Sequence, residues 1–199
     1  LDHRGRALDH PASRDLVASF VNSTYFDRVR DLPAGTDMEG IAERRLAKAI
    51  DADASNFEAY LLLGQLYLTD GKPDQAVEEL DKLVARQPGS VGAATLAAMV
   101  VQSQGKPDDA RVRYERIVEA NPHAAVASNN LAWMYASRNQ QLDRALQLAL
   151  AAKADLPDHP EVNDTLAYVY LRKQLPSLAV PPLLKAVEKA PGNPVFHYR

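Results

Sequence analysis

The tetrapeptide Gly71-Lys72-Pro73-Asp74 returns 34 residues later as Gly105-Lys106-Pro107-Asp108. An alanine follows each at the same offset, and that column extends to Ala42, Ala76, Ala110, Ala145 and Ala179, with steps of 34, 34, 35 and 34. Pro88, Pro122, Pro157 and Pro191 step by 34, 35 and 34. Two independent columns with one period restrict the chain to an array of similar units stacked on their neighbours.

Each unit reads as two helices. Tyr60, Leu63, Gly64 and Tyr67 make one helical stripe, and Ala76, Leu80 and Leu83 make a second. Gly71 falls where the first helix needs a left-handed residue to end. Pro73 falls near the start of the second, where its missing N–H costs nothing. The small columns have a packing reason. Gly64, Ala98, Ala132 and Ala167 let one helix approach its partner, and the Ala76 column does the same from the other side.

These residues resemble the tetratricopeptide repeat family, whose pattern W-x2-L-G-x2-Y, A-x3-F, P aligns with Tyr60, Leu63, Gly64, Tyr67, Ala76, Leu80 and Pro88. The later units keep Ala110, Tyr114 and Pro122, then Leu131, Ala132, Tyr135, Ala145 and Pro157, then Leu166, Ala167, Tyr170, Ala179, Leu183 and Pro191. The third unit carries one extra residue in the turn before Asp143. The resemblance implies an all-α fold, a right-handed α-solenoid of helix-turn-helix repeats. It divides the chain into repeats at 57–90, 91–124, 125–159 and 160–193. Residues 1–56 form a divergent N-terminal repeat, in which Ser13 caps a helix carrying Leu16, Phe20 and Val21. Residues 194–199 open a further helix in which the chain stops, so the chain is expected to be a piece of a longer array. Val195, Phe196 and Tyr198 would then leave an apolar edge that packs on the last repeat and invites self-association. Pro181 and Pro182 fall inside the last second helix. Each removes a donor and crowds the preceding turn, so that helix is expected to begin late, around 180–182, or to have a distorted first turn.

Chemistry is sparse. There is no cysteine, which removes disulfides, thiolate catalysis and zinc–thiolate sites and suits either the cytoplasm or the periplasm. Lys+Arg is 23 against 26 Asp+Glu, so no basic excess exists to neutralise a phosphate backbone, and nucleic acid is not an expected partner. The longest nearly apolar run, Ala93 to Val101, is far short of a membrane span, and no membrane insertion is expected. The five histidines His3, His10, His123, His159 and His197 share no i, i+4 spacing, and a surface or capping role is expected for His123 and His159. Asp51-Ala52-Asp53-Ala54-Ser55 fails as a calcium loop because Leu62 stands where a bidentate Glu is required. Asn22-Ser23-Thr24 and Asn163-Asp164-Thr165 fit the glycosylation sequon at a frequency chance supplies. No nucleotide, P-loop or serine-hydrolase motif occurs. No catalytic residue, cofactor or metal site is expected.

The informative surface is geometric. On a helical wheel of about 100° per residue, Glu58, Leu61, Gln65 and Leu68 point away from the partner helix. In the family this first-helix face lines the concave groove. The equivalent positions are Gly92, Thr95, Met99 and Gln102, then Val126, Asn129, Trp133 and Ala136, then Glu161, Asp164, Tyr168 and Leu171, with Arg172 at one end. The only tryptophan, a tyrosine and several amides fall here, residue types that supply rigid contact area and backbone-pairing groups. The competing reading gives part of this face to contacts between neighbouring first helices. A lysine–asparagine clamp for a C-terminal carboxylate is not expected. Asn129 and Asn130 suit it, but no groove lysine joins them, and Glu161 and Asp164 repel a carboxylate.

Two functions follow. One is a non-enzymatic scaffold holding a protein or peptide segment in the groove. The phrases Asn129-Asn130-Leu131-Ala132-Trp133 and Asp164-Thr165-Leu166-Ala167-Tyr168 resemble those of bacterial repeat proteins of exopolysaccharide and envelope export. The other is an interaction module of a larger enzyme, such as a glycosyltransferase, with its catalytic domain elsewhere.

Overall fold

The computed structural model describes residues 38–52, 62–63, 66–68 and 70–197. The expected helix around Leu16, Phe20 and Val21 lies outside them, as do Glu58, Tyr60, Leu61, Gly64, Gln65 and Tyr198. The described elements are α1 (Met38–Ala52), α2 (Pro73–Arg86), α3 (Val91–Ser103), α4 (Pro107–Ala120), α5 (Ala125–Ser137), α6 (Leu142–Asp155), α7 (Pro160–Arg172), α8 (Pro176–Lys189) and α9 (Pro194–His197). No strand occurs among the described residues. The chain divides into two compact units, Leu1–Ala110 and Arg111–Arg199.

One turn recurs in all four described helix pairs. Lys72 N–H donates to the Tyr67 carbonyl and Gly71 N–H to Leu68. This double bond pattern closes a helix end around a left-handed residue. The same pair of bonds joins Lys106 to Val101 and Gly105 to Gln102, Gln140 to Tyr135 and Asn139 to Ala136, and Leu175 to Tyr170 and Gln174 to Leu171. The left-handed residues are Gly71 (φ 70°), Gly105 (φ 74°), Asn139 (φ 54°) and Gln174 (φ 61°). The extra residue of the third unit is taken up at Gln141, also left-handed (φ 45°), just before α6.

In the first unit, α2 packs on α3. Leu46, Leu63, Tyr67, Ala76, Leu80, Leu83, Ala93, Ala97 and Val100 form one buried cluster. The Tyr67 hydroxyl donates to Glu43 Oε1 at 3.1 Å, tying α1 to the following pair.

In the second unit, α5 packs on α6 and α7, α7 on α6 and α8, and α9 on α8. The small columns are fully buried: Ala132, Ala145, Ala167 and Ala179. Among the described residues Tyr114 is the largest side chain with 0% exposure, and Asn130 Nδ2 donates to its hydroxyl at 3.2 Å. Tyr135 repeats the Tyr67 arrangement by donating to Glu115 Oε1 at 2.7 Å. Asn163 is buried and ties the turn before α7, donating to the carbonyls of His159 (2.8 Å) and Pro157 (3.1 Å), while Lys153 Nζ bonds its oxygen.

One expectation is corrected. α8 starts at Pro176 and runs through Pro181 and Pro182, so the late start is wrong. The two missing donors would have served the carbonyls of Ser177 and Leu178, both exposed residues, where water can take their place. The repeat packing of Ala179 and Ala186 then sets where the helix begins. Only the first turn differs. Leu178 N–H bonds Leu175, three residues back, where α2, α4 and α6 use four-residue bonds to Lys72, Lys106 and Gln141. The C-terminal segment packs on the last repeat, as expected. Phe196 is 4% exposed, because α9 folds onto α8 and covers it, and of the three apolar residues Val195 is half-buried.

Candidate functional site: the first-helix face of the second unit

The expected groove positions on α5 and α7 lie on helices that pack together. Trp133 and Tyr168 hold the same column of consecutive first helices, and both are half-buried. Asn129 lies one turn before Trp133 and is 3% exposed, and Asp164 lies one turn before Tyr168 and is 2% exposed. The face thus has partly open aromatic rings beside a deeply set amide and carboxylate. Asn129 Oδ1 finds no hydrogen-bond partner among the described residues. Ala136 is buried, Glu161 half-buried and Arg172 exposed. Glu161 Oε2 sits 2.8 Å from His159 Nδ1 at the start of α7.

In the first unit the equivalent positions are duller. Thr95 and Met99 are buried on α3, Gln102 is half-buried, and half-buried Leu68 packs on the cluster of that unit.

The neighbour of Asn129 has a different job. Asn130 is spent on Tyr114 inside the core, which removes it from any ligand-binding clamp. Its signal in the sequence was the tyrosine of the Ala110-x3-Tyr114 motif one helix earlier, which needs a buried partner for its hydroxyl. Asn163 likewise serves a turn and is fully buried, so its sequon offers no acceptor on the folded surface. His123 sits on the surface with Nδ1 3.2 Å from Asp155. Among the described residues no three His, Asp or Glu side chains gather as metal ligands, and no helix is long and apolar enough to cross a membrane.

Burial shapes several ionisable groups of the second unit. The Tyr135 hydroxyl is pushed up to about 12, first by burial and then by the Glu115 carboxylate it donates to. Burial raises Tyr114 further still, with the Asn130 bond acting weakly against it. Lys153 is lowered, by burial first and then by nearby Lys185.

Tetratricopeptide repeat models match residues 42–100 and 95–160, together more than half of the chain. No curated protein sequence matches the chain. Among solved structures, a crystal structure of MamA is 26% identical, covers 76% of this chain and 88% of its own, and superposes with a TM-score of 0.60. MamA residues 41 to the end from Desulfovibrio magneticus RS-1 is 18% identical with a TM-score of 0.59, covering 92% of this chain and 96% of its own. YrrB, described as a TPR protein with an unusual peptide-binding site, is 23% identical with a TM-score of 0.58, covering 80% of this chain and 83% of its own.

Proposed function

Since the chain belongs to the tetratricopeptide repeat family, an all-α solenoid class of protein-interaction scaffolds, we propose that it holds a partner's peptide segment on the first-helix face carried by α5 and α7. One observation carries this reading: Trp133 and Tyr168 stay partly open in the same column of two packed helices. Aromatic side chains supply large, rigid contact area at low entropic cost, and such residues dominate binding energy at interfaces. YrrB, of like fold, has a peptide-binding site by its own description. The phrases around Trp133 and Tyr168 resemble repeat proteins of envelope and exopolysaccharide export, and that resemblance supports an export assembly as the setting. No catalytic constellation enters this reading, and the scaffold acts by binding alone.

The test is a peptide library displayed on phage and selected on the full chain. Peptides enriched on the wild type should be lost on Trp133→Ala, weakened by about 2 kcal/mol or more as at other aromatic hot spots. The thermal midpoint should hardly move. A drop in stability of about 3–5 kcal/mol in that variant would mean the tryptophan is core, and the groove would lose its main anchor.

A further inference from the structure

α8 turns an apolar face outward. Among the described residues six large hydrophobics are exposed, and four of them, Leu175, Leu178, Val180 and Leu184, lie at its start or along it. Leu184 is the most open, at 66%. On a wheel of about 100° per residue, Pro181 and Leu184 stand opposite the buried Ala179 and Ala186, with Leu178 and Val180 on either side. No charge falls between Lys173 and Lys185. The columns of Leu178, Pro181 and Leu184 carry Gln75, Glu78 and Asp81 on α2, and Arg144, Gln147 and Leu150 on α6. The apolar stripe is therefore a property of α8 and not of the repeat. Stacking of a further helix pair does not explain it. Arg144, Gln147 and Leu150 all stay exposed on α6, although α7 packs on that helix and α8 on α7. α9 likewise packs on α8 and leaves the stripe open.

We propose that this face is the seat of a second copy of the chain, the two α8 helices packing antiparallel about a two-fold axis between Pro181 and Leu184. A two-fold contact joins one patch to itself, so the patch must be its own complement. In this register Pro181 of one copy meets Leu184 of the other, and Ser177 meets Glu188. The uncharged stripe brings no charge against its like. At each end the exposed Glu188 arrives at the first turn of the other α8. There Ser177 supplies a hydroxyl, and the orphan N–H groups of a helix start favour an anion. Within its own chain Glu188 lies 3.9 Å from Lys185, a loose pair that leaves its carboxylate able to accept more. Lys185 is held closer by Asp158, at 3.0 Å. The contact is one helix face wide, at the small end of specific interfaces, so the equilibrium is expected in the micromolar range. It uses second helices only and does not rest on the groove of α5 and α7.

The test is sedimentation velocity of the full chain over a concentration series. The wild type should pass from monomer to dimer at micromolar concentration. Leu184→Glu should weaken that step about tenfold or more, the size of burying one leucine side chain. Helicity should not change, because the residue is exposed. Trp133→Ala should leave the dimer as it was. Orientation is read by oxidative cross-linking, to which a chain without cysteine is suited. Ser177→Cys and Glu188→Cys, both at exposed positions, should join far faster when mixed than either variant does alone, since the antiparallel pair brings those two positions together. Equal rates overturn the antiparallel register. A chain that stays monomeric at millimolar concentration overturns the second copy. A dimer that Leu184→Glu leaves intact overturns this face as its seat. Vesicles of phosphatidylcholine and phosphatidylglycerol that float a monomeric wild type, but not Leu184→Glu, give the stripe to a membrane surface and overturn the proposal.

Discussion

α3 and α5 occupy equivalent places in consecutive repeats, yet only α5 keeps a large aromatic ring half-open. Both bury their small column completely, Ala98 on α3 and Ala132 on α5. On the neighbouring face α3 buries Thr95 and Met99, whereas α5 sets Asn129 and Trp133 in those places and leaves Trp133 half-open. In the next column α3 carries Leu96 where α5 carries Asn130, and then Val101 where α5 carries Tyr135. The columns that bring helices together tolerate almost no choice of size, because a backbone must approach there. The adjoining columns carry no such demand, so recognition can be written into one repeat and left out of the next.

The largest effect should come from the residue that makes α5 depend on its polar core. Tyr114 is wholly buried and receives the Asn130 bond. Tyr114→Ala should cost about 3–5 kcal/mol, the range for emptying a buried aromatic site, measured by urea denaturation. A cost below about 1 kcal/mol would show that α5 does not lean on Tyr114, and the contrast with α3 would lose its basis.

Much of this frame was readable from residue spacing. The alanine column at 76, 110, 145 and 179 is buried at every described member because one period runs through both units. The left-handed turn was readable at Gly71 and Gly105, where only glycine sits easily. It was hidden at Asn139 and Gln174, which adopt the same φ under the compulsion of the same two backbone bonds. Pro181 and Pro182 misled because helix propensity is a local rule and the register of α8 is set by its packing. The α5–α7 positions were picked from a helical wheel, and a single-helix wheel knows nothing of neighbours. It could not say that Asn129 and Asp164 would be deep while Trp133 and Tyr168 stay half-open, nor that Asn130 would be consumed by Tyr114.

Alkali should separate the two helices next. The hydroxyls of Tyr67 and Tyr135 are both pushed up to about 12, by burial and then by the carboxylate of Glu43 or Glu115. An unfolded tyrosine ionises near about 10. A phenol whose folded value is the higher contributes stability in full below pH ~10, and that contribution is lost as the pH climbs toward ~12. Urea midpoints should therefore hold steady between about pH 7 and 9 and fall between about 10 and 12, by at most about 2–3 kcal/mol for each tyrosine. Tyr135→Val, which gives α5 the residue α3 carries at Val101, should flatten part of that fall. An unchanged alkaline profile in this variant would mean that the Glu115 pairing adds nothing.

The smallest effects are the most discriminating, because the same substitution at adjacent residues should have opposite signs. Asn130→Leu installs the α3 residue and strands the buried Tyr114 hydroxyl without its donor, at about 1–3 kcal/mol, the penalty for leaving a buried polar group unsatisfied. Adding Tyr114→Phe should recover most of that loss, since both polar partners are then gone. Asn129→Leu is nearly the same change in size one residue earlier, but it breaks no bond, because Asn129 Oδ1 finds no partner among the described residues. It removes a buried acceptor and adds apolar contact, so stability should rise or stay level, within about 1 kcal/mol. Two melts and one double-mutant cycle settle the point. If Asn129→Leu destabilises as much as Asn130→Leu, both asparagines are structural, and α5 differs from α3 in how it is held together and not in what it can bind. If the signs split as argued, the protein maintains at position 129 a polar group that folding does not need, and the site's cost in stability is what a ligand's donor would offset.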